Sequence, residues 1–174
     1  MSEQLIQTTA WVLGDDVNTD LNCSGKYLPG KDEAYIAAHA FEALDPSFVQ
    51  RFKSGDIIVA GTHFGINSSR EQAVHILRRM GVAAIVAPSF GRQFFRNAIN
   101  NGLLVLECDT RGWPNGSSVR LDLQAHTFEV LSSDASQAPI VRSFRALPDA
   151  ILAILREGGL IPFLKKYPNW EVPA

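Results

Sequence analysis

Three short, almost wholly apolar runs in the middle of the chain constrain its fold more than any other feature. Residues 56–60, 83–87 and 103–106 read DIIVA, AAIVA and LLVL, and each is bounded by glycine, proline or charge. Runs of this length without polar alternation are typical of strands that are buried on both faces of a parallel sheet. We therefore expect helices between them.

The two intervening segments have the periodicity of amphipathic helices. Residues 70–80 place Ala73, Val74, Leu77 and Met80 on one face, and Gly81 follows as a residue that tolerates a left-handed cap. Residues 90–101 repeat this pattern, with Gly102 as the stop and a buried stripe made of Phe94, Phe95, Ala98 and Ile99. The sequence thus predicts a β-α-β-α-β unit with a parallel sheet and right-handed crossovers.

The flanking segments add further strands and helices. Before the parallel unit, we expect a strand over 10–13, a short helix over 32–41 and a second short helix that ends near Phe52. After it, segments 118–123 and 127–131 are typical of a hairpin, and a last helix is expected over 148–157. The predicted class is α/β, with three layers (β/β/α) and one domain spanning residues 1–174.

Composition excludes several classes of function. Sixteen Lys and Arg against eighteen Asp and Glu give a net charge of −2, which does not favour a nucleic-acid partner. No apolar run approaches the roughly 18 residues of a membrane helix, and the first ten residues do not resemble a leader, so we expect a cytoplasmic protein without a membrane partner. Cys23 and Cys108 are too few for a disulfide framework or a complete structural zinc site, so no metal is expected in this chain.

Polar residues are concentrated in segment 61–71, which joins a predicted strand to a predicted helix. This position is the carboxyl end of a parallel strand, where open sheets bind ligands. One interpretation is purely local: Ser68 and Glu71 have the spacing of a capping box. The other is a carboxylate-binding site, in which free helix amides and the Arg70 guanidinium hold an anion. The same groups would lower the cost of a negative charge on a serine oxygen.

A second polar segment, residues 14–20, contains three carboxylates within six residues, Asp15, Asp16 and Asp20. A solvated turn closed by Asp and Asn side chains would explain it. Alternatively, these carboxylates could orient a polar network or a basic group across a cleft. His63 is a weaker site candidate, and His75 is expected to be a partly buried helix residue.

The order of these motifs resembles that of one family. The segments that carry the resemblance are 14–20 (GDDVNTD), 26–28 (KYL), 55–61 (GDIIVAG), 64–65 (FG), 68–71 (SSRE), 89–90 (SF) and 97–104. In this order they resemble the small subunits of 3-isopropylmalate dehydratase, the separate-chain form of the aconitase swivel domain. The ending 158–162 (GGLIP) is similar to the short form of that subunit.

The resemblance implies a hydro-lyase made of two different chains. An aconitase-like large subunit would carry a [4Fe-4S] cluster on three cysteines, and this chain would carry no cofactor. Matched to the family's motif, Ser68 is the base that removes a proton next to a carboxylate, and Asp20 belongs to the active site. By the same match, Ser69 and Arg70 would hold the substrate, which we expect to be a small dicarboxylate or tricarboxylate.

Three departures from the family pattern bear on these assignments. The usual glycine before the two serines is Asn67, and since asparagine is the residue that best imitates glycine in a left-handed conformation, we expect the loop to keep its shape. The usual histidine after Arg-Glu is Gln72. The third departure follows Asp20, where residues 21–25 (LNCSG) replace a family pattern of apolar residues and proline. The next loop, which in relatives helps to choose the substrate's side group, reads Pro-Gly-Lys at 29–31, so Lys31 is a further candidate for substrate binding. The expected substrate is 3-isopropylmalate, of leucine biosynthesis. The alternatives are a methylated malate, citramalate or homocitrate-like acid, or a non-catalytic module that binds a carboxylate.

Overall fold

The computed structural model describes residues 5–67, 69–131 and 138–170. None of the helices in these ranges is long and apolar enough to cross a membrane. In chain order the elements are β1 (Leu5–Val12), α1 (Thr19–Asn22), α2 (Glu33–Ala38), α3 (Phe48–Arg51), β2 (Ile57–Val59), α4 (Glu71–Arg79), β3 (Ala84–Ala87), α5 (Arg92–Asn100), β4 (Leu104–Glu107), β5 (Ser117–Asp122), β6 (Thr127–Leu131), β7 (Ile140–Ser143), α6 (Asp149–Arg156) and α7 (Leu160–Lys166).

All seven strands belong to one sheet, in the order β4-β3-β2-β1-β5-β6-β7. Strands β1 to β4 are parallel, which confirms the predicted β-α-β-α-β unit and adds β1 to it. Strands β5, β6 and β7 continue the sheet in antiparallel fashion from the other edge of β1. Strand β1 therefore joins the two halves, pairing with β2 over Ala10–Val12 and with β5 over Leu5–Ala10.

The sheet curls until its two edge strands meet. An isolated antiparallel bridge joins Cys108, just after β4, to Phe144, just after β7. Beside it, the Arg145 amide donates to the Glu107 carbonyl at 3.0 Å. Since β4 and β7 lie at opposite ends of the strand order, this contact closes one end of the sheet.

Alternate residues of the parallel strands face two separate apolar cores. Ile58 of β2 packs with the helices in the larger core, whereas Ile57 and Val59 face the smaller one. The smaller core also contains Val119 of β5 and Phe128 of β6, so the antiparallel half covers the inner face of the parallel half. The expected β/β/α layering is confirmed, and its two β layers are halves of one sheet.

The structure differs from the sequence prediction at several elements. Strand β1 begins at Leu5 instead of residue 10, because Gln7, Thr8 and Thr9 pair with β5 although they are polar. Helix α7 was not predicted, since Pro162 interrupts the pattern, but proline is tolerated in the first turn of a helix. Strand β7 is short and alternates half-buried with exposed residues, which gives a weak pattern.

The loops that follow β1, β2 and β3 are held together by backbone hydrogen bonds. The Gly65 amide donates to the Val17 carbonyl at 2.8 Å, and the Gly91 amide donates to the Phe64 carbonyl at 2.8 Å. Gly65 has φ +77°, and a Cβ added there would collide with the side chain of Phe94. A glycine is thus required at this point for both its conformation and its size.

We expect Gly65→Ala to lower the free energy of unfolding by about 3 kcal/mol, because left-handed strain adds to a collision with a packed ring. Gly112→Ala is the matched control, since Gly112 has φ +78° and open space around its Cβ position. That variant should lose only about 1 kcal/mol. Urea unfolding measures both values, and equal losses would contradict the close approach of Phe94.

Candidate active site

The two polar segments found in the sequence lie against each other at the carboxyl ends of β1 and β2. The Asp15 carboxylate accepts from the Thr62 amide at 2.6 Å and from its hydroxyl at 3.0 Å. The Asp16 carboxylate lies 2.9 Å from Nδ1 of His63. Asp15, Asp16 and His63 thus join the loops, and the polar-network interpretation of segment 14–20 is supported over an isolated turn.

Asp20 lies deeper than the other two carboxylates of its segment. It belongs to α1, where Asn18 is the N-cap and accepts from the Asp20 amide at 3.0 Å. Its side chain is 8% exposed, and its carboxylate lies 3.8 Å from Nε of Arg70, whose side chain is 50% exposed. The structure therefore brings together two of the predicted site residues, a buried carboxylate and a half-exposed guanidinium.

Helix α4 begins later than the capping-box interpretation requires. Its first residue is Glu71, and Arg70 occupies the N-cap position without a capping hydrogen bond from its side chain. A capping box would place residue 68 at the N-cap and Glu71 two positions further into the helix. That interpretation is therefore wrong in its register. Ser68 itself lies outside the described residues.

The loop before α4 uses a left-handed residue at the position where the family pattern has glycine. Asn67 has φ +58°, a conformation in which asparagine is favoured among residues with a side chain. Asn67 thus has the conformation that a glycine would supply at this position.

Ser69 lies next to Arg70 on the surface of the loop. Its carbonyl accepts from Nδ2 of Asn97, at 3.2 Å, which ties the loop to α5. An open surface pocket of about 340 Å³ lies beside the loop, and it is lined by Gly65, Asn67, Ser69, Gly91, Arg92 and Gln93. In this pocket, a small anion would contact both the exposed Arg92 and the loop before α4.

Lys31 lies on the loop that leads into α2. Its ammonium group is 4.7 Å from the centre of the Tyr35 ring, and its side chain is exposed. Helix α2 in turn packs against α4. The contact with Tyr35 gives Lys31 a defined place near the beginning of α2, and its role in substrate binding stays a prediction.

The two cysteines lie on opposite sides of the sheet. Cys23 belongs to the larger core and Cys108 to the smaller one. Burial raises the pKa of the Cys23 thiol, and the nearby Asp20 carboxylate raises it further. Burial, with the charge of Asp109, raises the pKa of Cys108 to about 11. Because the two thiols lie in separate cores on opposite faces of the sheet, they cannot ligate one iron–sulfur cluster together.

Among the described residues, no group of three or more His, Cys, Asp or Glu side chains is arranged to hold a metal ion. The expectation that His75 is partly buried is wrong, because its side chain is 43% exposed. Its contacts are nevertheless structural. Its two ring nitrogens lie 3.3 Å from a Glu33 carboxylate oxygen and 3.1 Å from the Asn101 side-chain oxygen. It therefore links α4 to α2 and to the end of α5.

Sequence reasoning missed two contacts that shape the site, both between segments far apart in the chain. The Asn97 contact with Ser69 is one of them. In the other, the Gly25 amide donates to Oε1 of Gln72 at 2.7 Å. Sequence reasoning also missed helix α1. Asn18, which directly precedes Thr19 and Asp20, is a favoured N-cap residue and could have indicated where this helix begins.

Comparison with known proteins places this geometry in a family. Residues 30–111 match the model of the aconitase C-terminal domain. The chain is 41% identical over 157 residues to 3-isopropylmalate dehydratase small subunit 1 of Archaeoglobus fulgidus, covering 90% of this chain and 94% of the relative. It is 43% identical over 164 residues to the corresponding small subunit of Sulfolobus acidocaldarius, covering 93% and 98%.

A solved structure agrees with these relatives. The crystal structure of 3-isopropylmalate dehydratase from Methanocaldococcus jannaschii superposes with a TM-score of 0.84 at 36% identity, covering 95% of this chain and 96% of that one. The fold therefore defines an aconitase-type swivel domain. Within that class, the chain belongs to the family of 3-isopropylmalate dehydratase small subunits. The resemblance found in the sequence is confirmed.

We expect Asn67→Gly to leave the free energy of unfolding within about 0.5 kcal/mol of the original, because glycine adopts the left-handed conformation freely. Asn67→Ala should lose about 1 kcal/mol, since alanine is strained at φ +58°. Asn67→Asp, which tolerates this conformation, is the matched control and should resemble Asn67→Gly. Denaturant unfolding of the three variants checks the order, and an unaffected Asn67→Ala would contradict it.

Proposed function

We propose that this chain is the small subunit of a 3-isopropylmalate dehydratase and acts in leucine biosynthesis. One observation carries the proposal: the buried Asp20 carboxylate lies beside the half-exposed Arg70, next to the loop that contains the Ser68-Ser69 pair. The named relatives support it over nearly the whole chain. The reaction would be a dehydration and rehydration that isomerises a 2-hydroxy dicarboxylic acid.

The chain's own residues would bind one carboxylate of the substrate and move one proton. The guanidinium of Arg70 offers two parallel donors to a carboxylate, and the carboxylate of Asp20 holds the guanidinium in place. Ser69 would complete the carboxylate contact. Ser68 would take the proton from the carbon next to the carboxylate, a role that comes from the family motif.

The remaining chemistry would come from a partner chain. We propose an aconitase-like large subunit, which carries a [4Fe-4S] cluster as a Lewis acid for the hydroxyl that leaves. The two buried cysteines of this chain support the assignment of the cluster to the partner, because they lie in separate cores. We further propose that residues 1–174 form one swivel domain and that the assembled enzyme is cytoplasmic.

The substrate's side group would face the loop over 29–31. Proline and glycine leave space there, and we propose that Lys31 borders the binding region from its place over Tyr35. This loop lacks the apolar side chains that would favour a branched group by contact. A binding region with open space but without such contacts can hold a substrate with an isopropyl group. It would discriminate only weakly against a substrate with a methyl group.

We expect the isolated chain to fold and to show no hydration of unsaturated dicarboxylates. Activity should appear on mixing with an aconitase-like large subunit that contains its cluster. The measurements are circular dichroism and visible absorption of the isolated chain, and turnover of 3-isopropylmalate before and after mixing. Turnover by the isolated chain, or a mixture that binds a dicarboxylate without converting it, would contradict the proposed function.

We expect Ser68→Ala to lower turnover of the reconstituted enzyme by on the order of 100-fold or more, the typical effect of losing a general base. Its melting temperature should change little, since residue 68 is not the N-cap of α4. Ser54→Ala, in the turn before β2, provides a serine control outside the site. Ordinary turnover by Ser68→Ala would show that another group removes the proton.

A further inference from the structure

A side chain in the first turn of α4, that of Gln72, holds the segment that follows Asp20. Oε1 of the half-buried Gln72 accepts the Gly25 amide at 2.7 Å. The fit is close, because a Cβ added at Gly25 would lie 3.0 Å from the same oxygen. The side chain and the backbone it binds are 47 residues apart in the chain, so this contact is tertiary.

Gly25 lies at the centre of a compact, hydrogen-bonded segment. The Ser24 hydroxyl is buried and donates to the Asp20 carbonyl at 2.7 Å, while it accepts from the Lys26 amide at 3.2 Å. The Leu28 amide donates to the Ser24 carbonyl at 3.2 Å. A displacement of Gly25 would therefore be transmitted to Asp20 on one side and to the loop at 29–31 on the other.

Among the described residues, two of the polar contacts that connect this segment to the beginning of α4 are known in detail. One is the ion pair of Asp20 with Arg70, at 3.8 Å, and the other is the hydrogen bond of Gly25 with Gln72, at 2.7 Å. A segment held at one point can pivot about it, and a second point of attachment restricts that motion to rotation about the line joining the two. The shorter contact is the one nearer to the loop at 29–31.

We propose that Gln72 is a positioning residue that sets the choice of substrate by fixing residues 20–28 against α4. The inference rests on the proposed function, because it assigns Asp20 and the loop at 29–31 to the binding region. Gln72 touches neither substrate nor cofactor in this account. Its carbonyl oxygen is an acceptor that neutral or mildly acidic pH does not protonate, so the contact persists across that range.

The contact itself can be tested on the isolated chain by amide hydrogen exchange. The Gly25 amide should be protected, and Gln72→Met, which is similar in size but has no oxygen, should abolish its protection. Gln72→Glu keeps an oxygen at the same reach and should retain the protection. His75→Ala, on the same helix, is the control, since it removes contacts with Glu33 and Asn101 instead. Rapid exchange of Gly25 in the original chain would overturn the inference whatever the enzyme's activity.

The effect on substrate choice is tested on the enzyme reconstituted with its large subunit. The quantity is the ratio of kcat/KM for 3-isopropylmalate to kcat/KM for citramalate, which is independent of the active fraction. Gln72→Met should change this ratio by on the order of tenfold, which corresponds to about 1.4 kcal/mol. His75→Ala should leave the ratio unchanged even if its melting temperature falls.

The outcomes separate this inference from the proposed function. If the original enzyme converts neither acid, the proposed function fails and the assignment of Gln72 to substrate choice fails with it. If the original enzyme turns over but Gln72→Met changes only the melting temperature and leaves the ratio intact, Gln72 is merely structural and only the further inference is overturned. A changed ratio together with loss of Gly25 protection supports it.

Discussion

The central position of β1 in the sheet is the constraint on which the rest of the structure depends. One part of this strand pairs with β2 in parallel and an overlapping part pairs with β5 in antiparallel fashion, so the same strand starts both halves of the sheet. Because β1 and β2 run side by side in one direction, the residues that follow them emerge together. The Leu13 amide donates to the Val59 carbonyl at 2.7 Å, and the Gly61 amide donates to the Gly14 carbonyl at 3.1 Å. The pairing of two strands thus brings the two polar segments into contact.

Local patterns predicted the parallel half of the fold because its strands and helices differ sharply in periodicity. The helix over 70–80 is Glu71–Arg79, and the glycine after it has φ +80°. The antiparallel extension was only partly predicted. Strand β7 has a charged residue at Arg142 and pairs with β6, so its stability comes from the neighbouring strand instead of from its own pattern. The joining of both halves into one curled sheet depends on contacts such as Cys108 with Phe144, which no local pattern encodes.

The candidate site was predictable where a residue's own chemistry or conformation identifies it. Arg70 was singled out as an anion ligand, and Asn67 was expected in a left-handed conformation that it does adopt. The contact of Gln72 with Gly25 was not predictable, because a glutamine amide can accept from any nearby donor. The path of the chain through α1 brings Gly25 to Gln72. Helix α1 begins with two polar residues that are buried, Thr19 and Asp20.

The electrostatics of the Asp20–Arg70 pair suit a site in which one guanidinium serves two carboxylates. A half-exposed ion pair contributes about 0–1 kcal/mol, since water competes for the charges. The exposed part of the Arg70 guanidinium can therefore turn to a substrate carboxylate with little loss of folding energy. Asp20 is 8% exposed, and burial of a carboxylate favours keeping a cation beside it, so in the proposed function Arg70 would bind the substrate while it stays next to Asp20. A planar guanidinium with five donors can serve two carboxylates at once, whereas an ammonium group is a single point charge. The proximity of the two carboxylates to one arginine would then orient the substrate before any proton moves.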